Sequence, residues 1–223
     1  KTCKLESLLL NECYLNDDDI IALCQGLKKN TCLKKLRLGA KIVDSVFTKH
    51  GLQAIVDMLL VNSTLCHFDL SGSIPYSKRN GESRVGECLA NLLENNKSLS
   101  ELSLELCKGF TTEDFVSLSE GLARNKSLKI FHFPAFGDLE DPCEAANAIL
   151  AAVSNNYCLL QVRIKCCLHR KTNSEAVEMI HKKMGFYMAR NRAMSVLRKD
   201  DTGSTVSRSL FPLVLACDWP NGP

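Results

Sequence analysis

The groups most able to do chemistry in this 223-residue chain are its twelve cysteines and five histidines. The tightest grouping is Cys166, Cys167 and His169 in KCCLHRK. Adjacent cysteines lack the two-residue gap by which a zinc site closes around its metal, and no second ligand pair follows. The run is therefore read as structural, with no metal and no cofactor expected. The acidic groups Asp17–Asp18–Asp19 and Glu113–Asp114 stand where helices begin, where a carboxylate caps exposed amides and meets the positive end of the helix dipole. Neither a phosphate-cradling GxxxxGK[ST] nor GxGxxG, HExxH or GxSxG occurs. The chain is expected not to be an enzyme and to take no small-molecule substrate.

Composition narrows the remaining classes. Apolar residues make up 45% and charged residues 24%, ordinary for a globular chain with a real core. The net charge of +3 is too small for whole-surface attraction to nucleic acid or to an anionic membrane. No apolar run approaches the ~18 residues of a membrane-spanning helix, and KTCKLESLLLNEC lacks the parts of a signal peptide. Cysteines in such a chain are expected to be reduced, to behave largely as small buried hydrophobes, and to place the protein in the cytoplasm.

The elements that must carry these side chains follow from a repeat. Strings of the form LxxLxL begin at Leu5, Leu33, Leu65, Leu99, Leu128 and Leu159, in steps of 28, 32, 34, 29 and 31 residues. Three residues before each leader from the second onward stands Asn30, Asn62, Asn96, Asn125 or Asn156. Six before it comes Leu27, Leu59, Leu93, Leu122 or Val153, and ten before it Leu23, Ile55, Leu89, Leu118 or Ile149. The end of LxxLxL alternates with period two, which makes a short strand with one buried side. Apolar positions four apart make one face of a helix. The asparagine after that face is expected to take the left-handed conformation that ends helices. Each unit can bury its apolar face only against its neighbours.

Strands in a sheet sit ~4.8 Å apart whereas packed helices need ~10 Å. Stacked units therefore curve into an arc. The expected fold is an α/β solenoid, with a parallel sheet on the concave face and helices on the convex face.

These strings resemble leucine-rich repeats of the ribonuclease-inhibitor-like type, whose LxxLxLxxC/N pattern is matched at LESLLLNEC (Cys13), LSELSLELC (Cys107) and LLQVRIKCC (Cys167). The resemblance implies a hydrogen bond from that ninth residue to the turn after the strand. Lys41, Ser73 and Phe136 depart from the pattern, so their three turns are expected to be rebuilt. The array is expected over 1–199, as about six repeats closed by a helix in which Met184, Met188, Asn191 and Met194 reproduce the repeat columns. A polar linker and an apolar tail containing Trp219 follow over 200–223. Lys1 and Thr2 stand where a preceding helix would end, so further repeats are expected upstream.

With no catalytic motif, the exposed sheet is the expected site. Its outward positions form three rows: Ser7, Lys35, His67, Glu101, Ile130, Gln161; Leu9, Arg37, Asp69, Ser103, His132, Arg163; and Asn11, Gly39, Ser71, Glu105, Pro134, Lys165. The charges form a basic patch at Lys35 and Arg37, an acidic one at Asp69, Glu101 and Glu105, and a second basic one at Arg163 and Lys165. Such alternation suits a protein partner with complementary patches. Insertions at 40–51, 72–84, 136–143 and 165–175 are expected on one rim, where Tyr76, Lys78 and Arg79 are further candidate contacts. Protein recognition is the function the resemblance implies. The alternative it allows is a GTPase-activating or actin-capping-like regulator.

Overall fold

A computed structural model of the chain describes residues 4–39, 48–73, 85–136, 139, 141–164 and 171–199. Among these the order is β1 (Ser7–Leu9), α1 (Asp17–Leu27), β2 (Lys35–Arg37), α2 (Lys49–Val61), β3 (His67–Asp69), α3 (Val85–Asn95), β4 (Glu101–Ser103), α4 (Thr112–Arg124), β5 (Ile130–His132), α5 (Pro142–Asn155), β6 (Gln161–Arg163) and α6 (Lys171–Lys199). The strands form one sheet in chain order, every neighbouring pair parallel. Helices α1 to α5 each return the chain to the next strand and pack on the helix that follows. This is an α/β solenoid of strand–helix units, as the repeat predicts. Helices α2, α5 and α6 begin inside segments expected to be loops, so those insertions are shorter than the sequence suggests.

The columns of apolar residues form one continuous core. Leaders Leu33, Leu65, Leu99, Leu128 and Leu159 are buried, as are the strand centres Leu36, Phe68, Leu102 and Phe131. Helix positions Ile55, Leu59, Leu89, Leu93, Leu118, Leu122, Ile149 and Val153 face them. A strand buries alternate residues on one face while a helix buries positions four apart, so one unit closes one layer and opens the next. Helices α3 and α4 approach closely at Gly121, where an added Cβ would lie 2.6 Å from Ala90 Cα. Met184, Met188 and Asn191 of α6 are buried and end the layer series.

The asparagine column does a different job from the one expected. Asn62, Asn125 and Asn156 have φ of −73°, −66° and −95° with extended ψ, not left-handed backbone. Each side chain instead bonds in two directions. Its Oδ1 accepts the amides two and three residues on, as Asn156 does from Cys158 (2.8 Å) and Leu159 (3.1 Å). Its Nδ2 donates to carbonyls at the end of the preceding unit's helix: Asn62 to Leu27 (2.7 Å), Asn96 to Leu59 (2.6 Å), Asn125 to Leu93 (2.6 Å) and Asn156 to Leu122 (2.7 Å). Those carbonyls are left without partners inside their own helices. Asn191 carries the ladder into α6 by donating to Asn156 O and Leu159 O.

The ninth-position column also needs correction at one turn. Cys107 Sγ donates to Leu70 O at 3.2 Å, and Ser73 Oγ donates to the equivalent Leu38 O at 2.6 Å. A hydroxyl and a thiol reach the same acceptor, so the Ser73 position is conserved in role rather than rebuilt. Phe136 does rebuild its turn. Its buried ring packs on Phe115 at 4.8 Å between centroids, filling with aromatic surface what elsewhere holds a polar contact. Lys41 and Cys167 lie outside the described residues.

The acidic pairs act at helix starts and also between units. Asp19 and Asn16 form a reciprocal capping box at α1, as Asp114 and Thr111 do at α4. Asp17 accepts Thr48 N–H (2.7 Å), Thr48 Oγ1–H (2.6 Å) and Gly51 N–H (3.2 Å), tying α1 to α2. Partial burial opposes ionisation of Asp17, but the bonds from Thr48 and Gly51 outweigh it and hold the carboxyl below its ordinary range.

Candidate functional site

Three-residue strands in register bring side chains from six repeats onto one face. The pairing Ser7–Lys35–His67–Glu101–Ile130–Gln161 forms one row, and Leu9–Arg37–Asp69–Ser103–His132–Arg163 the next. Parallel hydrogen bonding keeps equivalent residues about 4.8 Å apart, so a row in sequence becomes a line on the surface. Main-chain bonds continue past the strands, as from Gly72 N to Glu105 O at 2.8 Å, and bring Ser71 and Glu105 alongside. Lys165 and the rim candidates Tyr76, Lys78 and Arg79 lie outside the described residues, as do Cys166, Cys167, His169 and 200–223.

The geometry links the charge patches that the sequence suggested were separate. Arg37 Nε lies 3.7 Å from Asp69 Oδ2, His67 Nε2 3.7 Å from Glu101 Oε2, and His132 Nδ1 3.8 Å from Glu105 Oε2. Each pair joins neighbouring repeats. Lys35 and Arg163 stay exposed at either side. At the centre, Ser71 Oγ and Ser103 Oγ are 2.8 Å apart and Ser103 Oγ is 3.3 Å from His132 Nδ1. These serines belong to the outward rows but were not singled out from the sequence, because short hydroxyls look like ordinary surface until the register aligns them.

His132 is the most enclosed ionisable group of the face. Its side chain is 12% exposed and its buried Nε2 has no hydrogen-bond partner. Burial, reinforced by the Arg163 cation, pushes its pKa below the ordinary 6.5, against the pull of Glu105, Glu101 and Asp69. The unfolded chain therefore takes up this proton at higher pH than the folded one. The resulting stabilisation is complete above 6.5 and is lost as pH falls from there through the lower folded value. His132→Asn is expected to flatten that acid-side decline, read as the difference in urea midpoint between wild type and variant at about pH 7.5 and about pH 5.5.

The cysteines divide by environment. Among the described residues, Cys24 and Cys107 are buried, Cys32, Cys66, Cys88 and Cys158 half-buried, and Cys13 and Cys143 exposed, so the description as small hydrophobes fits only part of this set. Burial pushes the Cys24 thiol up to about 11 despite Lys28, with Asp57 adding to the rise. Among the described residues, no group of three or more His, Cys, Asp or Glu side chains is placed to hold a metal ion. No described helix is long and apolar enough to cross a membrane.

No protein-family profile matches the chain, and no curated protein does. Among solved structures, one titled as leiomodin-1 actin-binding site 2 is 13% identical with a TM-score of 0.43, covering 89% of each chain. Another, titled as the tropomodulin C-terminal domain of Caenorhabditis elegans, is 13% identical with a TM-score of 0.45, covering 87% of this chain and 89% of that one.

Proposed function

We propose that the chain is a protein-recognition module, without catalytic activity of its own, that binds another protein across its concave sheet. The observation that carries this is the double row of polar and charged side chains from Lys35 to Arg163. The core does not need these side chains, yet cross-strand pairs hold them in place. Preorganised charge of both signs favours a partner of complementary pattern over a uniform polyanion. We further infer that the repeats are of the ribonuclease-inhibitor-like kind. The α-helix in every unit and the turn bonds of Cys107 and Ser73 support this. A reducing, cytoplasmic setting belongs to the same proposal; Cys13, Cys24, Cys66, Cys88, Cys143 and Cys158 are free thiols.

The test reverses charge on the surface alone. The Lys35→Glu, Arg37→Glu, Glu101→Lys variant is expected to lose at least tenfold in capture of proteins retained by wild type, with unchanged circular dichroism. Undiminished capture would reject the concave sheet as the site. Pelleting with actin filaments and GTP turnover by small GTPases, run on the same two proteins, distinguish the regulatory alternatives.

A further inference from the structure

At the entrance to β3, the half-buried Cys66 is in contact with the imidazole of its neighbour His67. Cys66 Sγ lies 3.0 Å from His67 Nδ1, and His67 Nε2 lies 3.7 Å from Glu101 Oε2 on β4. The sulfur also lies 3.4 Å from Lys34 O. That carbonyl can only accept a hydrogen bond, whereas the imidazole can take the proton. From the β2 side Lys34 brings its ammonium within electrostatic reach of the sulfur while bonding Glu6 at 2.8 Å. Lys35 stands opposite His67 in the sheet register, and Asp69 follows on β3 itself. A thiol, an imidazole and a carboxylate thus stand in sequence, with the carboxylate at ion-pair distance from the far ring nitrogen, where it would balance an imidazolium. An imidazole in contact with a thiol can act as the base that takes its proton when the sulfur attacks.

We propose that Cys66 is an imidazole-activated thiol and a site of reversible mixed-disulfide formation with small, low-molecular-weight disulfides. The thiol proton passes to His67 Nδ1, leaving an imidazolium between sulfur and the Glu101 carboxylate. The sulfur lone pair attacks one sulfur of the small disulfide, a Cys66–S bond forms, and the original S–S bond breaks. The departing thiolate leaves with the bonding pair and takes the proton from His67 as a free thiol. Cys66 sulfur is oxidised from thiol to disulfide and the leaving sulfur is reduced, so no further oxidant is needed. Three other described thiols, Cys13, Cys24 and Cys88, stand in different surroundings. Exposed Cys13 contacts only the Asn11 carbonyl, at 3.6 Å, in the bonds described for it, and burial disfavours the thiolates of Cys24 and Cys88, with Asp57 adding to both. The adduct would stand on the concave floor, but the chemistry holds whether or not that face has a protein partner.

The test treats the intact chain with glutathione disulfide, and separately with iodoacetamide, and follows each cysteine by peptide mass spectrometry. Near pH 6.5, Cys66 is expected to react about tenfold faster than Cys13 although it is less exposed, and His67→Gln to remove that advantage. Glu101→Gln should lower the rate by a smaller factor, and dithiothreitol should release the glutathione adduct. The rate profile separates activation from simple access: Cys66 in wild type should reach its plateau at lower pH than in His67→Gln. A Cys66 rate at or below that of Cys13, or a rate and profile unchanged in a folded His67→Gln chain, would overturn the proposal. Should that variant not fold, the wild-type profiles of Cys66 and Cys13 decide it, and coincident profiles refute it.

Discussion

Phe115→Ala is expected to lower the unfolding free energy by about 3–5 kcal/mol, the largest effect of any single substitution argued for this chain. The ring is fully buried at the start of α4 and lies where two repeats meet. Its centroid is 4.8 Å from Phe136, 5.9 Å from Phe110 and 6.4 Å from Phe133. Phe133 in turn packs edge-on against Phe131 at 4.6 Å. Removing the central ring leaves a void walled by rigid aromatic rings, which cannot collapse as flexible aliphatic chains would. Phe136 has no hydrogen bond of the kind made by Cys107 to stand in for the lost packing. Urea unfolding followed by circular dichroism measures the loss. A cost below about 1 kcal/mol would mean that the turn at Phe136 is held by something other than this cluster.

The second large effect concerns the polar side of the same stack. Asn156→Ala is expected to cost about 2–4 kcal/mol, because it deletes several buried hydrogen bonds and strands their partners. The lost donor served Leu122 O at 2.7 Å and Asn125 O at 3.0 Å, and the lost acceptor served the amides of Cys158 and Leu159. Asn156 is also the step on which Asn191 of α6 rests, through its carbonyl at 2.8 Å. The destabilisation should therefore be local, with amide exchange accelerated in the last turn of α5 and in α6 before it rises in α2. Asn95→Ala, one residue before the Asn96 step and exposed, should change stability by less than about 0.5 kcal/mol. Equal effects at Asn95 and Asn156 would show that the buried ladder contributes nothing special.

The leucine and asparagine columns are equally visible in the sequence, yet only the leucines disclosed their role there. The leucine leaders required a buried strand edge every thirty or so residues, and the sheet has that register. The asparagines stood in an equally regular column, but a single chain offers a helix terminator as the nearest explanation. Carbonyls 32 to 37 residues upstream, which those side chains bond, become neighbours only when units stack. Ser73 shows the same gap in reverse: it breaks the residue pattern while keeping the hydrogen bond, since a hydroxyl can replace a thiol as donor. The aromatic cluster was hidden because Phe110, Phe115, Phe133 and Phe136 look like separate core positions of two repeats.

For the exposed face, spacing alone determined which residues share a row. Parallel strands in successive repeats carry register from unit to unit without a further decision. Spacing could not decide how those residues meet. The Arg37–Asp69 and His67–Glu101 pairs, the serine bridge to His132 and the approach of Cys66 to His67 depend on side-chain direction and burial. Those are properties of neighbouring repeats packed together, and periodicity along one chain carries no information about them.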